Sequence, residues 1–331
     1  MSLSEFDLIK KYFWKTPTKK DSTVFLGIGD DCAILDVPEG HQLLISTDTL
    51  VAGVHFFEDV DAYRLGYKSL AVNLSDLSAM GATPKWISLA ITLPNVDATW
   101  LAQFSQGFFD LAKQFNVTLI GGDTTKGPLS ITISVQGIVP KGDALLRSNA
   151  QVGDIVCVSG TLGDGALGLA YQLSHKKLKL ANAQAFVDKL ELTEPRVALG
   201  LLLREHAHSC IDISDGLTQD LTHILNASNC SAQIDVDKLP LSDALQQELA
   251  LVNIDPEMAM HYALMGGDDY ELLFTLPQSA LRILQQAMPE LRITAVGKII
   301  APQTKKIQLL KYQKSFSLTL SGWDHFKTGS D

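Results

Sequence analysis

Aspartate recurs in one kind of setting along this chain: behind an apolar run, after one or two small residues. The pattern occurs in Gly27-Ile-Gly-Asp-Asp31, Ser46-Thr-Asp48, Leu74-Ser-Asp76, Gly121-Gly-Asp123, Ile211-Asp-Ile-Ser-Asp-Gly216 and Gly266-Gly-Asp-Asp-Tyr-Glu271, six segments with ten acidic residues. Such apolar runs read as strands, and in sheet-based folds the strand-end loops converge over a rigid scaffold. Carboxylates gathered there raise one another's pKa by several units unless cations lie between them. The Gly, Ser and Thr neighbours let the backbone approach a ligand and add hydroxyl and carbonyl oxygens. Hard oxygen donors without His or Cys select Mg²⁺ or Ca²⁺ over zinc. Mg²⁺ held by a few carboxylates completes its shell with water and phosphate oxygens, which makes a nucleotide the natural guest. Each segment alone has a plainer reading, because Asp after a strand is commonly a turn residue or a helix N-cap. Asp215-Gly216, ahead of the amphipathic run from Leu217 to Leu225, reads as such a cap. Asp76 differs: it interrupts an apolar helical stretch, 70–77, and a carboxylate on such a face needs a partner.

Other motifs carry less. The segment 163–168 (GDGALG) has G-x-G-x-x-G spacing, but no second strand ending in an acidic residue follows at the required distance, because 183–190 reads as helix. Tight strand-to-helix packing accounts for it better. No P-loop pattern and no G-x-S-x-G occur, and 122–127 (GDTTKG) has the wrong spacing for a phosphate loop. Arg147, alone in ALLRS, suits a phosphate or transition-state charge, and equally a solvated linker. His55, in VAGVHFF, reads as a satisfied core histidine or a site residue, while His206 and His208 read as the polar end of a helix.

These residues must be positioned by alternating elements. Leu101, Phe104, Phe108, Leu111 and Phe115 recur at spacings of three and four, a helix capped by Asp97 or Thr99. The β-branched runs 84–92 and 129–139 read as strands, and 117–120 as a short apolar run that Gly121-Gly122 stops. The polar stretch 141–154 marks a domain boundary, giving domains 1–145 and 146–331. In the second, helices are expected at 164–174, 195–207, 216–228 and 278–287, and strands at 155–159, 209–213, 231–236, 271–276 and 292–300. Strands and helices intermixed in both halves predict two α/β or α+β domains. From Leu318 the tail reads as a strand and a polar end, anchored by Trp323 and Phe326.

Composition narrows the partners. The chain has 331 residues, 27 Lys and Arg against 37 Asp and Glu, and a net charge of −10, with no basic run. That weighs against nucleic acid and anionic membrane as partners. The charged fraction of 19% lies below the usual quarter or so, which predicts extensive buried surface and a subunit interface. Cys32, Cys157, Cys210 and Cys230 form no C-x-x-C pair, so buried thiols in a reducing compartment are expected. No apolar stretch approaches the roughly 18 residues of a membrane span, and the first residues lack an apolar signal core; a cytoplasmic protein is expected.

The segments GIGDDCA (27–33), STDTLVAGVHF (46–56), LAVNLSDLSAMGA (70–82), IGGDTTKGP (120–128), IDISDGL (211–217) and GGDDYEL (266–272) resemble, in order and spacing, the thiamine-monophosphate kinase family. That family belongs to the superfamily of aminoimidazole-ribonucleotide synthetase-like ATP-using proteins, and the resemblance runs from about residue 5 to Phe326. It implies an N-terminal domain that binds ATP and Mg²⁺ and forms a β-barrel across a homodimer, followed by a C-terminal α/β domain. It implies ATP-dependent conversion of thiamine monophosphate to thiamine diphosphate by direct in-line transfer. By matched position, the implied ligands of several Mg²⁺ ions are Asp31, Ser46, Thr47, Asp48, Asp76, Asp123, Asp212 and Asp215. Gly122, Asp123, Arg147 and Ser214 match positions contacting ATP; His55, Asp268 and Trp323 match positions contacting thiamine phosphate. Asp48, Asp123 and Arg147 are the implied catalytic residues. The third residue of GGDDYE, often Glu in the family, is here Asp268, one methylene shorter. Rival readings are another superfamily enzyme, a nucleotide or Mg²⁺ sensor without turnover, and a two-metal phosphohydrolase. The last lacks His ligands near the aspartates, and the full set of carboxylate segments together with Arg147 favours an enzyme. Selenium- and hydrogenase-related relatives fit less well, since no reactive Cys lies in a Gly-rich N-terminal segment and the sequence given ends KTGSD without a Cys.

Overall fold

Runs spaced by three and four become helices and β-branched runs become strands, in two units, Met1–Ala144 and Leu145–Asp331. The structure, a computed structural model, describes residues 5–14 and 22–318. In the first unit, α1 (Glu5–Leu8) widens into a π-helical turn, Ile9–Phe13, and β1 (Val24–Leu26) pairs with β2 (Ile34–Leu35). Then follow β3 (His41–Val51), α2 (Ala62–Ala79), β4 (Thr83–Leu93), α3 (Ala98–Gln114), β5 (Thr118–Lys126) and β6 (Ser130–Pro140). The four long strands form one sheet in the order β3-β6-β4-β5, with β4 and β5 parallel and the other pairs antiparallel. Among the described residues no barrel closes; β3 and β5 are the sheet's edges.

Helix α2 lies against β3 and β6, and α3 packs on α2. Asp97 caps α3, its carboxylate accepting from the amides of Thr99 (2.8 Å) and Trp100 (3.1 Å). The two helices meet through reciprocal glycines: a Cβ on Gly66 would overlap the carbonyl oxygen of Phe104, and one on Gly107 that of Tyr63. Gly107→Ala is therefore expected to force the helices apart. The steric cost, about 1–3 kcal/mol, exceeds the gain of about 1 kcal/mol that Ala otherwise brings to a helix interior. A lowered melting temperature by circular dichroism checks this; a raised one would contradict the packing.

The sheet's other face is partly open. Leu43 and Ile45 on β3 point there and are 42% and 63% exposed. Next to them Trp86, Ile120 and Ile138 form a small core with Val24, Ala33 and Leu35. Ile120 is the extra residue of a bulge, since the β4–β5 register passes from Ile87–Leu119 to Ser88–Gly121. The glycines at 121–122 do not stop this strand, as their composition suggested; β5 continues to Lys126. Gly122 allows this because its φ is +151° and a Cβ there would overlap the carbonyl oxygen of Leu89.

The second unit contains β7 (Ile155–Ser159), α4 (Asp164–Leu173), α5 (Ala183–Glu191), α6 (Val197–Leu203), β8 (Ser209–Asp212), α7 (Leu217–Ala227) and β9 (Ser231–Asp235). It goes on through α8 (Asp243–Ala250), α9 (Pro256–Met265), β10 (Leu272–Leu276), α10 (Gln278–Ala287), β11 (Ile293–Ile300), β12 (Ile307–Lys311) and β13 (Lys314–Phe316). A seven-stranded sheet, β13-β12-β9-β11-β7-β10-β8, is antiparallel except for the β12–β9 pair, so this domain is α+β rather than doubly wound. β7 and β10 are buried along their whole length. The GDGALG glycines serve close packing, against neighbours other than a strand: a Cβ on Gly165 would meet the Asp268 backbone and one on Gly168 the Phe186 backbone. His208 does not end a helix. α6 stops at Leu203, and His208 leads into β8 with its Nδ1 2.9 Å from Asp154.

Candidate active site

In the first unit β3 and α2 bring predicted oxygens together. Ser46 and Asp48, two apart on β3, share the face that α2 crosses. Ser46 Oγ donates to Asp76 Oδ2 at 2.5 Å. The Asp48 amide donates to Asn73 Oδ1 at 3.2 Å, and Asn73 Nδ2 donates to the Ser69 carbonyl at 2.9 Å, so this buried asparagine ties β3 to α2. Burial, then the charge of Asp76, pushes the Asp48 carboxyl up to about 6. That repulsion is what a cation would relieve. Asp76 thus has the partner its apolar helix face demanded.

The other residues of this unit lie apart. Thr47 is exposed and projects to the opposite face of β3. His55 is half-buried in the turn after β3, and its Nδ1 accepts from the Val51 amide at 3.0 Å, so a neutral ring carries its proton on Nε2. Asp123 is exposed on β5 beside Ala90, on the face turned away from α2. Since β3 and β5 are opposite edges of a four-stranded sheet, about 14 Å of strand spacing separates the backbones of Asp48 and Asp123. Asp31 is exposed, its amide donating to Asp30 Oδ1 at 2.9 Å.

In the second unit two loops are joined by backbone. Asp212 ends β8, and the Ile213 amide donates to the Glu271 carbonyl at 2.8 Å. The Tyr270 amide returns to the Ile213 carbonyl at 2.8 Å, and the Asp268 amide donates to the Ser214 carbonyl at 3.0 Å. Ser214, Asp215 and Asp268 are half-buried and lie on these joined loops. Asp215 is not the cap its position suggested. Gly216 precedes α7, and Asp220 Oδ2 accepts from the amides of Asp215 (3.2 Å) and Gly216 (3.1 Å). Burial, then the charges of Asp212 and Asp215, pushes Asp220 up to about 8. Asp269 is buried, both its oxygens accepting from the Gly163 amide at 3.0 Å, and burial holds its carboxyl well above the ordinary range.

Arg147 is exposed before β7, its carbonyl accepting from Ser228 Oγ at 3.2 Å. Trp323 and Phe326 lie outside the described residues. Two predicted segments are also relocated: 46–48 and Asp123 lie within strands, not in strand-end loops. Asn73 and Asp220 join these residues from outside the expected set. The signal for each was a polar residue on an inward helix face, three before Asp76 and four after Gly216.

Residues 29–139 match the family described as AIR synthase related protein, N-terminal domain, and residues 151–309 its C-terminal domain. The thiamine-monophosphate kinase of Escherichia coli (strain K12) is 47% identical over 333 residues, covering 99% of this chain and 100% of that protein. The crystal structure of thiamine-monophosphate kinase from Stenotrophomonas maltophilia K279a is 43% identical with a TM-score of 0.81, covering 87% of this chain and 91% of that one. A structure described as AaThiL complexed with AMPPCP and TMP is 29% identical with a TM-score of 0.77, covering 88% and 89%. With two AIR synthase-related domains in order and this likeness along its whole length, the chain belongs to the thiamine-monophosphate kinase family.

Proposed function

We propose that the protein transfers the γ-phosphoryl group of ATP to the phosphate of thiamine monophosphate, releasing ADP and thiamine diphosphate, as a Mg²⁺-dependent homodimer in the cytoplasm. The full-length likeness to the Escherichia coli thiamine-monophosphate kinase carries this reading. The donor set supports the metal. Asp48 faces Asp76 in one unit, and Asp212 and Asp215 face Asp220 in the other, all hard oxygens. Among the described residues no three His, Cys, Asp or Glu side chains form a metal-holding group. Protein ligation by one or two carboxylates, with water and phosphate completing the shell, is the habit of Mg²⁺.

In this reading Asp31, Ser46, Thr47, Asp48, Asp76, Asp123, Asp212 and Asp215 hold Mg²⁺, which when bound supplies neutralisation of phosphate charge. Gly122, Asp123, Arg147 and Ser214 hold ATP, and His55, Asp268 and Trp323 hold thiamine monophosphate. Gly122, free of a side chain, lets a phosphate approach the strand. The acceptor is already a phosphate oxyanion, so attack on the γ-phosphorus needs no general base, and no phosphoenzyme forms. Asp48 and Asp123 position the reacting phosphates in line, while the Arg147 fork matches charge on the transferring group. The open apolar face at Leu43 and Ile45 supports a first unit that pairs with its copy, closing the sheet edges into a barrel.

The test is ADP release from Mg²⁺-ATP with and without thiamine monophosphate, with thiamine diphosphate identified as product. EDTA should abolish turnover and excess Mg²⁺ restore it. Release of ADP that ignores thiamine monophosphate would refute the kinase reading, and labelled protein after a single turnover with γ-labelled ATP would refute direct transfer.

A further inference from the structure

Glu271, the last residue of GGDDYE, is an anchor rather than a presented ligand. Its side chain is 1% exposed, and its carboxylate accepts from Ser159 Oγ (2.6 Å), Lys189 Nζ (3.1 Å) and Arg196 Nε and Nη2 (2.6 Å each). Burial alone would raise this carboxyl; the bonds from Arg196 and the charges of Lys189 and Arg196 outweigh it and hold it below the ordinary range. The remaining Arg196 contact, Nη1 to Glu194 at 2.8 Å, lies on the exposed side. The backbone of the same segment carries the bonds to Ile213 and Ser214. Asp268 and Tyr270 sit there at φ of +63° and +48°, a left-handed backbone that a side-chain-bearing residue keeps only when its surroundings impose it. A bidentate guanidinium fixes the direction of a carboxylate as well as its charge, which an ammonium does not.

We propose that Arg196 is a positioning residue: its fork on Glu271 sets the segment 266–271, and through the bonds to Ile213 and Ser214 it sets Asp212, Ser214, Asp215 and Asp268. What those four residues hold rests on the phosphotransfer reading above. Arg196 itself needs no contact with nucleotide or thiamine.

Arg196→Lys in the full chain keeps a cation beside Glu271 and removes the fork. Misplacement on the order of 1 Å is expected to lower kcat/KM about 10- to 100-fold, with a raised KM for thiamine monophosphate. The amides of Ile213, Asp268 and Tyr270 should exchange with solvent about tenfold faster or more, while those of β9 keep their rates. Leu284→Ala, a buried truncation on α10, should lower the melting temperature and leave both KM values unchanged. Glu271→Gln, equal in shape and uncharged, should reproduce the exchange signature and serves if Arg196→Lys does not fold. Wild-type exchange at the three amides in a folded variant overturns the inference, as does a KM shift of equal size in Leu284→Ala. A wild type that forms no thiamine diphosphate defeats the phosphotransfer reading alone, because the exchange measurement reads positioning without catalysis.

Discussion

Asp48→Asn should lower thiamine diphosphate formation by about 10³-fold while the fold stays intact. The substitution keeps the volume and leaves the backbone amide free to donate to Asn73. It removes a charge that burial and Asp76 already oppose. With the folded carboxyl pushed up to about 6 from an ordinary 3.8, the residue's contribution to stability is most favourable below about pH 4 and is lost as the pH rises through about 6. At neutral pH the metal-free wild type therefore bears a cost on the order of 1–3 kcal/mol that the asparagine variant does not. The variant should melt a few degrees higher without metal and gain less from added Mg²⁺ than the wild type does. Near-normal turnover would remove Asp48 from the site, and a lower melting temperature would remove the electrostatic argument.

The second large effect is a rescue. Asp48 and Asp123 stand on opposite edges of one sheet and face opposite sides of it. If both serve one phosphate site, the closing of a barrel across a dimer is the arrangement that brings one chain's β3 edge to its partner's β5 edge. Asp48→Asn and Asp123→Asn homodimers should each be inactive. Co-expressed in equal amounts, half the dimers would be mixed, and each mixed dimer would hold one site with both lesions and one with neither. Activity should return to about a quarter of wild type. No recovery in verified mixed dimers would mean that each site draws both aspartates from one chain.

How far the sequence foretold this arrangement depends on how local each feature is. Helix α3 follows from the spacing of Leu101, Phe104, Phe108 and Leu111 and from the Asp97 cap, all within one segment. The five strands expected in the second unit, from 155–159 to 292–300, lie close to their expected bounds because the apolar runs are short and flanked by turn residues, whereas β12 and β13 carried no such expectation. Asp76 stood out because a carboxylate on an apolar helix face must be answered from elsewhere, and Ser46 answers it. What stayed hidden is long-range. Glu271 and Arg196 are 75 residues apart, and neither segment signals the other. Composition also misjudged 46–48 and 121–123, where small and acidic residues read as loop. Pairing with β6 and β4 supplied the backbone partners that keep those residues in strands.

The bulge at Ile120 has a consequence of parity. Upstream of it Leu119 pairs with Ile87; downstream Gly121 pairs with Ser88, so odd-numbered positions of β5 change sides at that point. Asp123 projects from the face opposite Asp48 only because one residue is counted twice against the neighbouring strand. Pairing Ile120 with Ser88 in an unbroken ladder would set Asp123 opposite Ile91 and turn it toward the helices, whereas deleting Ile120 would leave it opposite Ala90, on the side it already occupies. In this strand the pairing across the bulge, as much as residue identity, decides which side carries the acid.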